Sequence, residues 1–231
     1  MYIKDNYLIL EQQDVWKPKK ITGTIMGEML GLNNFKKKGD AILTMIRAYK
    51  EEIDPFYTNR GYFGEKVLQE MLKQKGFEIK TWDQKEINYD NFKSNSEFGG
   101  MLDLAILKPT RQLVECKTKN ISKLADTKRW ANKSYECQAQ LYGYLSKCDD
   151  INLIYVFFTD EQEQALKESK ELDPNPANYV FYGYKVQLDK EKFKQDMQFC
   201  LDYKNKCLKE MRIPLEDISE KVLQKLNLKQ V

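Results

Sequence analysis

The sequence predicts an α/β fold in which a mixed central β-sheet is flanked by helices. Three observations predict it. Residues 101–117 alternate with a period of two about a tight turn at Lys108-Pro109-Thr110, the pattern of two paired strands. The stretch Ile151–Phe158 is strongly apolar and short, as a buried strand is. Before and after the hairpin, apolar residues recur every three or four positions, the spacing of helices that cover a sheet. At 231 residues the chain is long enough for a real core. It reads as a single domain, 1–231, with its core at about 17–160 and a C-terminal strand and helices at about 161–231.

In order, Ile21 to Gly31 reads as a short helix, with Thr22 or Thr24 as N-cap and Gly31 as its stop. Gly39 to Glu51 is a second helix. Phe63, Val67, Leu68, Met71 and Leu72 then repeat at helical spacing and end at Gly76. Glu65 falls off that apolar stripe, in position to line a cleft. Phe77–Trp82 and Glu86–Phe92 are strand candidates feeding the hairpin, and Gly99-Gly100 before it predicts close approach of another backbone. Asn120 to Asn132 is polar and aperiodic, a loop or flap with Trp130 at its end. Lys133 to Lys147 is a helix on which Gln138 and Tyr142, four apart, point the same way. Tyr179 to Leu188 is another strand, Asp189 to Met211 a long charged helix, and the tail to Val231 an amphipathic helical segment.

Composition removes several chemistries. The chain has no histidine, which excludes a Ser-His hydrolase, a histidine-ligated zinc and a histidine general base. Five irregularly spaced cysteines predict reduced thiols in a cytoplasmic setting. No apolar run approaches the roughly 18 residues that a membrane span requires, and no signal peptide is expected. A net charge of +3 says little about nucleic acid. Locally, residues 108–133 carry eight bases against Glu115 and Asp126, and Lys17, Lys19, Lys20 and Lys36-Lys37-Lys38 form two further clusters. Such runs are solvated faces or a positive field for an anionic polymer.

The hairpin carries the chemistry. If Lys108-Pro109-Thr110 is the loop, Leu107 pairs with Arg111, and counting back sets Asp103 opposite Glu115. Opposed residues have Cβ atoms about 4.5–5.5 Å apart, and like charges so placed repel. Lys117, two residues on, shares the face of Glu115 and relieves part of the repulsion; a hard divalent cation relieves more. A solvated Asp-Lys-Glu ladder is the other reading of the same charges.

The spacing D-x(11)-E-x-K resembles the metal-binding core of the PD-(D/E)XK nucleases, whose fold is the restriction-endonuclease-like core; Leu102 stands where a proline often precedes the aspartate. G-x-x-x-E at Gly61 to Glu65 and Q-x-x-x-Y at Gln138 to Tyr142 flank it in the order seen in the lambda exonuclease branch. Ile21-Thr22-Gly23-Thr24 is similar to that branch's I-T-A-S segment. The resemblance covers about residues 17 to 160. It implies a metal-dependent deoxyribonuclease, a 5′-to-3′ exonuclease on linear double-stranded DNA in phage-type recombination. Asp103, Glu115 and the Cys116 carbonyl would ligate two magnesium or manganese ions together with Glu65. Lys117 would orient or activate water, Gln138 would position Lys117 or the water, and Tyr142 would support the helix on the DNA-binding side. Thr24, with Lys17 and Thr22, would hold a 5′-phosphate, although the family pattern has an arginine near the position of Lys17. The resemblance further implies DNA ends as partner, a single-strand annealing protein, a homotrimer, and a bacterial or phage-infected cytoplasm. A restriction- or repair-type endonuclease and a non-catalytic DNA-binding scaffold are the rival readings. The cysteines at 116, 137, 148, 200 and 207 do not match the one-early, three-late set of the Cas4-like, iron–sulfur branch.

Overall fold

The computed structural model describes residues 1–12, 17–125 and 132–229. In chain order its elements are β1 (Tyr2–Lys4), β2 (Tyr7–Ile9), α1 (Gly23–Met29), α2 (Lys38–Met45), α3 (Pro55–Gln74), β3 (Glu78–Lys80), β4 (Leu104–Lys108) and β5 (Gln112–Asn120). There follow α4 (Lys133–Ser146), β6 (Ile151–Phe158), α5 (Asp160–Lys167), β7 (Val180–Lys185), α6 (Lys190–Glu210), β8 (Arg212–Pro214) and α7 (Glu220–Leu223). The chain divides into two compact units, each drawn from separate stretches. One comprises Met1–Glu51, Phe92–Gly99 and Asp189–Val231; the other comprises Glu52–Asn91 and Gly100–Leu188.

The second unit is an α/β layer structure built on a five-stranded mixed sheet of order β3-β4-β5-β6-β7, which puts the second strand of the hairpin at its centre. The predicted register holds: Leu104 pairs with Val114 and Ile106 with Gln112, antiparallel. β5 runs parallel to β6, a pairing that needs a crossover, and α4 supplies it. β6 is largely apolar because it lies inside the sheet, between β5 and β7, with six of its eight residues buried. On one face Leu104, Ile106, Val114, Cys116, Val156 and Phe158 pack against Val67, Leu68 and Leu72 of α3. On the other, Leu153, Tyr155 and Phe157 are fully or almost fully buried, and they share a face with Glu115 and Lys117 through the pairs Glu115–Leu153 and Lys117–Tyr155.

Local chemistry sets the ends of the helices. Asp54 Oδ1 accepts from Phe56 N at 2.9 Å and Pro55 opens α3, a sequence preorganised for a helix start. Gly76, at φ +80°, follows its end. Asn132 Oδ1 caps α4 through Ser134 N, and Lys147 closes that helix in the left-handed region.

In the first unit, β1-β2-β8 form a small antiparallel sheet. α1 has Thr22 as N-cap, as one of the two expected residues, and Gly31 at φ +70° just beyond it. Four expectations are corrected. Glu86–Phe92 is not a strand: Asp83 Oδ1 accepts from Lys85 N and Glu86 N, and Asn88 and Tyr89 take positive φ, which folds the segment into turns. The second helix ends at Met45, with Arg47 at φ 62°, rather than running to Glu51. After α6 the chain becomes β8, paired with β2, and only Glu220–Leu223 of the tail is α-helical among the described residues. The close approach at Gly100 is made by an aromatic ring, not a backbone, since a Cβ there would lie 2.4 Å from Tyr142 Cε1. The expected flap residue Trp130 lies outside the described residues.

Candidate active site

The β4–β5 ladder supplies the framework. Leu104 is its last paired residue on β4, so Asp103 sits one step beyond the strand, across from Glu115 by continuation of the register. There Asp103 Oδ2 accepts from Cys116 N at 2.7 Å. Lys117 Nζ lies 3.1 Å from Glu115 Oε2, and its ammonium stands 5.3 Å from the Tyr135 ring of α4, a cation–π distance. Glu65 reaches the same place from α3. Gly64 makes that possible: a Cβ on it would fall 2.2 Å from Thr118 Cγ2, so its bare backbone lets α3 lie close against β5.

These groups line a groove of about 450 Å³ that holds Glu65, Asp103, Lys117, Gly61, Arg60 and Tyr135 among its walls. Glu115 lies beneath it, only 1% exposed. Burial, then the neighbouring Asp103, pushes Glu115 up to about 8 and Glu65 up to about 7. Burial also raises Asp103, against the pull of Lys117 and the Cys116 N–H. For Lys117 burial works against the charge, but Glu115 and Asp103 outweigh it and hold the ammonium well above its ordinary range. Burial likewise keeps the Cys116 thiol protonated.

Three carboxylates against one ammonium leave a surplus of two negative charges when all are ionised. One carboxylate oxygen, Glu115 Oε1, is buried and accepts no hydrogen bond, a costly arrangement for a lone acceptor. Both features fit a divalent cation, and oxygen donors of this kind suit magnesium or manganese. Among the described residues no three His, Cys, Asp or Glu side chains are already arranged as a metal site. Asp103 Oδ2 is turned to Cys116 N and Glu115 Oε2 to Lys117. The donors fit in kind and charge; their convergence on an ion would require these bonds to be exchanged.

The other predicted residues fall out differently. Gln138 donates from Nε2 to Tyr142 Oη at 3.2 Å. Tyr142 is 4% exposed and wedged against Gly100, so it braces the approach to Asp103 from beneath. Thr22, Thr24 and Lys17 belong to the first unit. Thr22 Oγ1 is occupied as the α1 cap, accepting from Ile25 N at 3.4 Å, while Thr24 is exposed. Lys17 is exposed at φ 50° and its carbonyl accepts from Arg47 Nη1.

Two groove residues escaped the sequence reading. Arg60 donates to Thr118 Oγ1 and Thr118 O, each at 3.3 Å, and pairs with Glu163 of α5. Tyr135 lies on α4, and its place under Lys117 and Lys119 depends on the crossover. An adjoining groove of about 410 Å³ shares Tyr57, Arg60 and Lys119 with the first and adds Lys123 and Lys167.

Comparison with solved structures decides the fold. An alkaline exonuclease from Laribacter hongkongensis superposes with a TM-score of 0.55 at 11% identity, over 87% of this chain and 95% of that one. A phage-related exonuclease from Haemophilus somnus does so with a TM-score of 0.56 at 17% identity, over 87% of this chain and 100% of that one. The fold is that of the phage-type exonucleases. The Laribacter enzyme, also solved in complex with dAMP, gives a TM-score of 0.56 in that form. In sequence, the exonuclease-fold chain is 32% identical over 106 residues to an uncharacterized protein of Mycoplasma genitalium, and 30% identical to its Mycoplasma pneumoniae homolog. Each match covers 44% of this chain and 38% of the relative, so the chain matches well under half the length of those curated proteins. No protein-family model matches. Among the described residues, no helix is long and apolar enough to cross a membrane.

Proposed function

We propose that this chain is a divalent-metal-dependent deoxyribonuclease that digests linear double-stranded DNA from a 5′ end. The observation that carries the reading is the groove lined by Glu65, Asp103 and Lys117, with Glu115 buried beside Lys117 and its Oε1 unpartnered. The exonuclease fold supports it, as does the complex of one similar structure with a deoxynucleotide.

Glu65, Asp103 and Glu115, with the Cys116 carbonyl, would hold magnesium or manganese. When bound, such ions polarise phosphoryl oxygens, lower the pKa of water, and neutralise attacking and leaving oxygens. The chain's own groups do the rest. Lys117, kept as an ammonium by its two carboxylate neighbours, donates hydrogen bonds to an incoming water or a phosphate oxygen and offsets charge that grows there. Tyr135 limits how far the Lys117 ammonium can swing. Gln138 acts through Tyr142, whose ring fixes Gly100 and thereby the backbone leading to Asp103. Arg60 and Lys119 on the groove wall attract and seat the polyanion. Thr24 and Lys17 remain the proposed 5′-phosphate contacts.

The test is end-labelled linear duplex, with and without a 5′-phosphate, beside a closed circle, in magnesium. Digestion of the linear form with the circle intact is the expected result. Nicking of the circle would mean an endonuclease, and unchanged DNA in magnesium and manganese would mean a binding scaffold. Lys117→Ala should retain DNA binding and lose cleavage by about 10²–10⁴-fold; near-wild-type turnover would remove Lys117 from the chemistry.

A further inference from the structure

α3 carries two glycines near the groove, and only one has a reason inside the protein. Gly64 is required by contact with Thr118, where a Cβ would collide at 2.2 Å. Gly61, one turn from Glu65, has nothing within 4 Å of where its Cβ would be. It lies within α3, where glycine is a poor helix former, and its backbone conformation is not one that demands glycine. Helix propensity favours a side chain at 61 and the surrounding space permits one, yet none is present.

The position faces the groove. Tyr57, Gly61 and Glu65 follow one another at intervals of four and therefore line one side of α3; all three are on the groove wall, with Asp103 and Lys117 across from them. Tyr57 is 56% exposed. Arg60 and Lys119 put positive charge on the same wall. A missing side chain at such a place is what close approach by a ligand backbone requires. We infer that Gly61 is a clearance position: the sugar–phosphate backbone of the strand being cut lies against α3 there, and the bare helix sets how near the scissile phosphate comes to Glu65. The ligand class is a phosphodiester polymer, recognised by shape and charge and not by its bases. This inference rests on the nuclease reading and assigns Gly61 a positioning role, not a chemical one.

The test uses the full chain with Gly61→Ala and Gly61→Leu, and Gly64→Ala as the comparator. Thermal midpoints and steady-state kinetics on linear duplex in magnesium are measured for each. The Gly61 variants should melt at or above the wild-type midpoint. Their KM should rise with side-chain size, about threefold for alanine and tenfold or more for leucine, with kcat changed less than KM. Gly64→Ala should instead lower the midpoint. A Gly61→Leu protein with wild-type KM, beside an active wild type, overturns the inference and leaves the nuclease reading standing. A lowered midpoint in both Gly61 variants also overturns it, by making the site one of internal packing. A wild type that neither binds nor cuts linear duplex overturns both.

Discussion

Glu115 illustrates how one residue couples stability to function. It is raised from an ordinary carboxylate value to about 8, first by burial and then by Asp103, and Glu65 moves the same way to about 7. A carboxyl whose folded-state pKa is raised favours folding while it stays protonated, so its contribution is complete below the unfolded value near 4.5 and lost as pH rises toward 8. In chelator, the melting temperature should therefore fall between about pH 5 and pH 8. Cation binding displaces those protons, so magnesium should raise the melting temperature more at the upper end of that range than at the lower. Melting curves with EDTA and with magnesium across the range check both signs; a magnesium effect that shrinks as pH rises would contradict the assignment of these acids as ligands. Glu115→Gln should shrink both the pH response and the magnesium effect, leaving the part of the pH response that Glu65 carries.

At the level of elements, the site depends on how closely α3 and α4 approach the sheet. Gly64 against Thr118 sets one approach, and Gly143, whose Cβ would fall 2.0 Å from Ile151 Cδ1, sets the other. Gly64→Ala forces α3 outward and should cost about 1–3 kcal/mol, the usual range for overpacking. It should also weaken magnesium binding, because Glu65 travels with the helix. Thr118→Ser removes the methyl group that collides, so the double variant should recover part of the loss. Chemical denaturation of the four proteins of that cycle measures the coupling; strict additivity would mean the contact is not what holds α3 in place.

On the scale of the whole chain, charge is distributed less simply than the sequence implies. Lys36, Lys37 and Lys38 look like a phosphate track, but all three have partners within the protein. Lys36 lies 3.0 Å from Glu28 and 2.8 Å from Glu51, Lys37 Nζ donates to the Glu216 carbonyl, and Lys38 lies 3.2 Å from Asp217. The Glu28 carboxyl is 2% exposed, so Lys36 offsets a charge that would otherwise be buried alone. Along the two joined grooves, by contrast, Lys119, Lys123 and Lys167 share walls with Tyr57 and Arg60. Reversing two of these charges, Lys123→Glu with Lys167→Glu, should raise KM for duplex DNA and lower the salt slope of binding by about 2, one for each lost phosphate contact. Lys37→Glu should leave that slope unchanged. Binding isotherms at several salt concentrations separate the two outcomes.

Much of the fold was legible because it is written at short range. The period-2 alternation and the Pro109 turn were enough to fix the β4–β5 register, and that register set Asp103 across from Glu115 with Lys117 on the same face. The cap at Thr22 and the glycine ends at Gly31 and Gly76 likewise marked helices locally, whereas the Asp54 cap that opens α3 went unread. The Glu86–Phe92 segment failed because Asp83 and two left-handed residues override its strand-like composition. What the tertiary structure alone decided is everything that joins residues distant in sequence: Glu65 and Arg60 brought to β5 by Gly64, Tyr142 pressed on Gly100, Tyr135 set beneath Lys117, and the lysines of 36–38 each given a partner. Periodicity reports which face of an element is apolar, a property of neighbours along the chain. How near two faces come, and which charges meet when they do, is settled by packing between elements, where one absent methyl group decides the distance.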